Sequence, residues 1–459
     1  PRDADPMSSS ILGILHRPEG ADLSGALHIL PLWGDSARKM AYLLKSEKRE
    51  VFVCDIPPYG GEKSLKKWER QMEDLREALS DYTGNEVTAS SLRRARRMVR
   101  GAKRAAKDFW EASRGREDII SFSANVNPLG ISPALRETLA EHLDAIQSYP
   151  DRDYSRLRSV IADYCGTASE NIIVGNGSTE LISIIIELKK PGRAMILGPS
   201  YSEYEREVSL SGGKALYFPL KEENNFILDK EDFVSRLNES IDMLIICNPN
   251  NPTSTCIPAR TLRGILDAAK ALNIFVVIDE TYIEFTENMH ELEGIPLTVY
   301  YNNLFIIRGI SKFFASPGLR LGYAITGNQD LIREINTKKN PWTINSLAEI
   351  AGELMFTDKK YIKETRRLIS SERKRICSKL DSMKELGLTY YKPDANFVLC
   401  KLERNDVDAD SLFDSCIRSK MMIRNCCTFP FLDNHYFRFC FMLPEDNDNL
   451  INKIREALQ

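Results

Sequence analysis

The sequence has no Cys-x-x-Cys pair, no helical pair of histidines, and no apolar run near the ~18 residues of a membrane span. Its ten cysteines are scattered, with only Cys426 and Cys427 adjacent. That pattern argues against a disulfide framework or a zinc site and fits reduced thiols in a cytoplasmic protein. Five histidines without i, i+4 spacing add no metal site. A formal net charge of −3 gives no global field toward nucleic acid or an acidic membrane surface. Pro1 to Ser10 is polar and carries no signal-peptide core. It also lacks an initiating Met, so the chain reads as a processed or partial one. Internal repeats and low-complexity tracts are absent too.

What is present is a globular composition, 43% hydrophobic and 28% charged over 459 residues, with room for two or three domains. Residues 1–115 differ from the rest. Ala26 to Leu32 is a short apolar run, and Val51 to Ile56 reads as a strand. Helices are expected over Ser36 to Leu44, over Ser64 to Tyr82 (Leu65, Trp68, Met72, Leu75 and Leu79 recur at helical spacing) and over Thr88 to Trp110. The last carries Arg93, Arg94, Arg96, Arg97, Arg100, Lys103, Arg104 and Lys107. These charges encircle the helix without interleaved aromatics, which favours a solvated face over a nucleic-acid surface. The polar stretch from Ser113 to Asp118 marks a boundary, dividing the chain into 1–115 and 116–459.

After it, apolar runs alternate with helical patterns: Asn171 to Val174, Ala194 to Leu197, Ala215 to Leu220, Met243 to Cys247, Ile274 to Ile278 and Leu304 to Ile307 are the strands. The fold class this predicts is α/β, a large mostly parallel sheet with helices on both faces. Long helices from Ser346 and Asp358 and short strands near 389, 397, 422 and 436 predict a smaller α+β domain. The large domain is placed at about 165–340. The small one takes about 341–459 together with 116–164.

Three apolar strands end in polar groups. One leads to Asn248-Pro249-Asn250-Asn251, one to Asp279-Glu280-Thr281-Tyr282, and one to Ser311-Lys312 with Arg320 beyond. In an open α/β sheet such ends share one crevice. An amine, a carboxylate, a phenol and an amide there suit pyridoxal 5′-phosphate. Lys312 is the candidate to hold its aldehyde. Asp279 would keep the ring nitrogen protonated, although an Asp at a strand end also serves as a helix cap. Tyr282 and Asn251 would reach the ring oxygen. Gly177, Ser178 and Thr179, at a turn into a helix, would present N–H groups to the phosphate, joined by Ser311 and Arg320. Tyr201 would stack on the ring, or else is core.

Residues 119–459 resemble the fold-type I pyridoxal-phosphate enzymes, in the branch of histidinol-phosphate aminotransferase and L-threonine-O-3-phosphate decarboxylase. The shared stretches are Asn248 to Thr253, Asp279 to Tyr282, Ser311-Lys312-Phe313 and Pro317 to Tyr323. Ser254 stands where that family usually has Gly. Ser123 to Gly130, Tyr149 to Tyr154, Pro341 to Ala348 and the region of Arg424 and Arg438 resemble the decarboxylase more. The resemblance implies that Arg424, Arg438, Asn396 and Asn127 bind a small phosphorylated amino-acid substrate. It also implies that Tyr149 reaches the phosphate in a partner subunit, in a homodimer with shared sites. Residues 28–112 resemble part of a 2-hydroxyacyl-CoA dehydratase subunit, through Gly34 to Met40, Val53 to Pro57 and Asp81 to Asn85. Cys54 alone cannot hold that family's iron–sulfur cluster, so an accessory region is expected. The resemblance implies a decarboxylase of threonine or serine phosphate, serving cobamide synthesis. A histidinol-phosphate-type aminotransferase is the alternative, and a non-catalytic interaction protein on the same fold the third.

Overall fold

The computed structural model describes residues 119–459, His28–Leu32, Val51–Asp55, and residues 74, 75 and 77. The chain divides into two compact units, Pro1–Arg116 and Glu117–Gln459. In the first, His28–Leu32 and Val51–Asp55 pair as parallel strands, and residues 74, 75 and 77 are helical. The other readings for residues 1–118, including the Arg-rich helix and the linker, lie outside the described residues.

The second unit is organised by seven strands: β1 (Ile172–Gly175), β2 (Arg193–Gly198), β3 (Lys214–Pro219), β4 (Met243–Cys247), β5 (Phe275–Asp279), β6 (Leu304–Gly309) and β7 (Gly322–Ile325). Their order in the sheet is β1-β7-β6-β5-β4-β2-β3. Only β7 runs against its neighbours; every other adjacent pair is parallel. The central strands are continuous apolar runs because both faces are covered. Alternate residues feed two layers: Leu244, Ile246, Val276 and Ile278 enter one core, and Ile245, Cys247, Val277 and Ile307 the other. Helix α1 (Gly177–Lys189) buries Leu181, Ile182, Ile185 and Ile186 in the second layer. Helix α2 (Ser202–Leu210) adds Tyr204 and Val208.

A second sheet holds β8 (Leu388–Tyr390), β9 (Phe397–Leu402), β10 (Arg424–Asn425) and β11 (Tyr436–Cys440), in the order β8-β9-β11-β10. All its pairs are antiparallel. The strand expected near residue 422 is split at buried Ile423: Met421–Met422 pairs with Ile120–Ser121, and only Arg424–Asn425 joins β11. That pairing ties residues 120–121 to the segment beside the small sheet. Strand β7 is absent from the sequence reading, since four residues after a tight turn show no usable periodicity.

Candidate active site

Because six strands of the large sheet point the same way, β4, β5 and β6 deliver their C-terminal residues to one edge. A cleft of about 360 Å³ opens there. Lys312, Asp279, Tyr282, Asn251, Ser178, Thr179, Tyr201, Ser311, Arg320, Arg424 and Arg438 all line it. A cavity of about 440 Å³ beside Lys339 contains none of them.

Asp279 is 4% exposed. Tyr204 donates to its Oδ2 at 2.7 Å, while the Thr281 N–H donates to Oδ1 at 2.9 Å and the Thr281 hydroxyl also reaches Oδ1. Burial raises the Asp279 pKa, and the Thr281 and Tyr204 bonds oppose that rise. No cation is among these partners. A carboxylate held this way at a cavity wall is set to meet a cationic group from the cavity itself.

The Lys312 amine donates to the Ala124 carbonyl at 2.8 Å. Burial, with a smaller push from Arg438, brings its pKa down to about 8. A fraction of the amine is therefore neutral near physiological pH, as a nucleophile requires. Burial raises the Tyr282 pKa, so its phenol stays protonated; Asn125 donates to its oxygen at 3.4 Å.

The start of α1 forms a cradle. The Asn176 side chain does not cap it, and Glu180 Oε2 accepts only from the Asn176 N–H, at 2.6 Å, which leaves the N–H groups of Gly177, Ser178 and Thr179 to a ligand. Gly177 has φ +78°, and a Cβ there would collide with the Arg320 guanidinium. A Cβ on Gly322 would collide with the Ser178 backbone nitrogen. Two glycines thus let a guanidinium and a strand close on one helix start, which is suited to a phosphate. With Lys312 and Asp279 on the walls of the same cleft, these features fit pyridoxal phosphate.

At the other end, β10 and β11 place Arg424 directly opposite Arg438. Like charges so paired repel each other. Arg438 is 5% exposed, donates to the Ser123 carbonyl at 2.7 Å and to Asn251 Oδ1, and leaves its Nε without a partner. Arg424 donates to Thr428 Oγ1 at 3.0 Å and lies over the Phe429 ring.

Gly177 belongs to the turn into α1 and not to the cleft lining, and three other expected residues are not brought to the cleft wall. The Asn127 amide is spent on the Phe313 carbonyl, Tyr361 and Thr365, at 2.8 to 2.9 Å. Asn396 lies behind Asn125, donating to its carbonyl at 3.0 Å. Tyr149 is 78% exposed and packs on Trp342 at 4.6 Å. The sequence reading missed Tyr204, Thr281 and Asn125. Tyr204 had one available signal: it follows Tyr201 by three residues, on the buried side of α2.

Residues 117–454 match the family described as aminotransferase class I and II. Residues 1–173 match the D-component of 2-hydroxyglutaryl-CoA dehydratase. The threonine-phosphate decarboxylase of Salmonella typhimurium (strain LT2) is 33% identical over 342 residues, 74% of this chain and 92% of the relative. A protein of Caldanaerobacter subterraneus, provisionally given the same name, is 38% identical over 333 residues, 72% of this chain and 88% of the relative. The solved histidinol-phosphate aminotransferase of Clostridium acetobutylicum matches with a TM-score of 0.69 and 34% identity, covering 74% of this chain and 99% of that one. On the family match and the cleft together, the chain belongs to the class I and II aminotransferases and takes pyridoxal phosphate as its cofactor.

Proposed function

We propose that the protein decarboxylates a phosphorylated hydroxy-amino acid, O-phospho-L-threonine or O-phospho-L-serine, releasing an amino-alcohol phosphate for cobamide synthesis. The observation that carries the reading is the pair Arg424 and Arg438, juxtaposed across two strands with neutral hydrogen-bond partners only. Two adjacent cations suit a ligand with two acidic groups close together. The relatives named as threonine-phosphate decarboxylases support it.

Each residue then has a task. Ser178, Thr179, Ser311 and Arg320 hold the cofactor's phosphate, Tyr282 and Asn251 its ring oxygen, and Asp279 its ring nitrogen. Gly177 provides the turn, and Tyr201 covers one ring face. The cofactor, when bound, supplies an electron sink for the bond that breaks at the substrate's α-carbon. Buried Arg438 takes the carboxylate, which must shed water before carbon dioxide can leave. Exposed Arg424 takes the phosphate, which keeps part of its hydration. Loss of carbon dioxide leaves the α-carbon needing a proton, and Lys312 is placed to hold and return one.

A second reading, an aminotransferase of the histidinol-phosphate type, is favoured by the 34% identity to such an enzyme. It would use the same residues, with the α-proton rather than the carboxylate leaving. The test offers the holoenzyme O-phospho-L-threonine, O-phospho-L-serine and L-histidinol phosphate, with and without 2-oxoglutarate. Turnover of a phosphoamino acid without 2-oxoglutarate is the expected result. Turnover only of histidinol phosphate, and only with 2-oxoglutarate, would replace this reading with the second.

Three further parts of the proposal follow. Tyr149 is offered to a partner's phosphate site in a homodimer. Asn127 and Asn396 act on substrate only through their neighbours. Residues 1–115, with Cys54 as their single cysteine, form an accessory unit without dehydratase chemistry in a cytoplasmic enzyme.

A further inference from the structure

We propose that Phe431 is a positioning residue: its ring fastens the loop that carries the Arg424 contacts to the large sheet, and so sets the affinity for phosphorylated substrates. The inference rests on the assignment of Arg424 to the substrate's phosphate.

Two features of Phe431 are individually unfavourable. Its backbone is left-handed, φ +67°, a conformation that bulky L residues rarely adopt, and its side chain is 58% exposed. A residue that is strained and half in solvent signals a contact that holds it there. That contact lies across the domain seam. The ring sits over Gly198, where a Cβ would come within 2.7 Å of it, and meets Tyr217 edge-on at 5.9 Å. Gly198 ends β2 and Tyr217 lies in β3, both on the large sheet. Gly198 also leads through Pro199 and Ser200 into Tyr201 of the cleft wall.

The inner side of the loop is held by buried Cys426, Phe429 and Leu432, and the Cys426 N–H donates to the Tyr436 carbonyl at 2.9 Å. β10 contributes only Arg424 and Asn425 to the small sheet before the chain leaves it. Thr428 and Phe429, which hold the Arg424 guanidinium from two sides, belong to that loop. Its far end is tied down at Tyr436, whose hydroxyl donates to Glu222 at 2.7 Å, again a large-domain residue. Between those ends the Phe431 ring ties the outer side of the loop to the large sheet. Without it, Thr428 and Phe429 would sample other positions, and Arg424 would be in binding geometry for only part of the time. Apparent affinity falls in proportion to that fraction.

The experiment compares holoenzyme carrying Phe431→Gly, which relieves the backbone and removes the ring, with Tyr217→Leu, which removes the ring's partner from a separate strand. Hydrogen exchange of amides 426–432 reads the tie directly, and KM and kcat read its consequence. Phe431→Gly should speed exchange in that segment and raise KM about tenfold, and Tyr217→Leu, which leaves the Gly198 contact, should do both to a smaller degree. Cofactor affinity should be unchanged and kcat changed less than twofold. The double variant should not exceed Phe431→Gly alone, because that variant already removes the contact that Tyr217→Leu cuts. Unchanged exchange, or faster exchange with unchanged KM, overturns the inference. Failure of the substrate reading is separable: if only histidinol phosphate is turned over, the same KM rise is expected with it, since it carries the same phosphate monoester. If wild-type enzyme binds neither compound, both the inference and the assignment of Arg424 fall.

Discussion

Replacing Arg438 by Met should leave the empty protein as stable as before, or more so, while removing its ability to bind substrate. The guanidinium is buried, its hydrogen-bond partners are neutral, and Arg424 faces it. Burial lowers its pKa, with an added push from Arg424, so the fold disfavours the charge it holds. Exchanging a buried, poorly compensated charge for a well-packed apolar side chain commonly gains about 1–4 kcal/mol. Against that stand two charge-assisted hydrogen bonds, each worth about 1.5–3 kcal/mol with part regained by water, and a cation–π contact with Phe397. A Met thioether retains much of the last. The terms nearly cancel, and the expected net change is within about 1 kcal/mol, or roughly 2 °C in Tm. The assay is thermal unfolding in chloride buffer without phosphate or carboxylates, repeated with substrate. A ligand at a hundred times its Kd should stabilise wild-type protein by about 2.7 kcal/mol and the variant by almost nothing. A variant that loses more than about 2 kcal/mol without ligand would show that Arg438 is a structural strut and refute the reasoning.

Further expectations follow from the same geometry. Lys312→Ala should reduce turnover by at least about a thousandfold with unchanged circular dichroism; residual activity within tenfold of wild type would remove Lys312 from its role. Tyr204→Phe takes a donor from Asp279 and should weaken cofactor retention by about tenfold, read by equilibrium dialysis, and unchanged retention would contradict that support. Cofactor uptake by the apoenzyme should speed up as pH rises through about 8 and then level off; a rate still climbing toward 10.5 would contradict the depressed amine. Since the folded value lies below the unfolded one, the penalty of Lys312 on stability is full below pH 8 and fades toward 10.5, so its contribution improves with pH in that window. Ser254 has φ +64°, and its hydroxyl accepts from the Ala395 N–H at 2.9 Å. Ser254→Ala should therefore cost about 1–3 kcal/mol in chemical denaturation, whereas Ser254→Gly, which relieves the backbone, should cost less.

The site was legible where a polar residue interrupts an apolar strand. Asp279 after Val276-Val277-Ile278 and Lys312 beyond Leu304 to Ile307 stand out because burial there demands a partner. The parallel order of β4, β5 and β6 follows from the same runs. Other features leave no such mark. Tyr204 looks like ordinary helix core, because its phenol meets Asp279 only once α2 docks on the sheet. Asn127 sits in a recognisable stretch, yet its amide is spent on the Phe313 carbonyl, Tyr361 and Thr365, and that of Asn396 on the Asn125 carbonyl. Phe431 gives no signal at all, since its importance lies in a torsion angle and in a glycine more than two hundred residues away.

The central claim is that the carboxylate, not the α-proton, is lost from a phosphorylated amino acid held by Arg424 and Arg438. The most direct measurement supplies O-phospho-L-threonine labelled with ¹³C at its carboxyl carbon to holoenzyme without any 2-oxoacid. The account predicts labelled carbon dioxide and an amino-alcohol phosphate that keeps its nitrogen, in equal amounts. Label retained in a 2-oxoacid product, with nitrogen left on the enzyme, would contradict it.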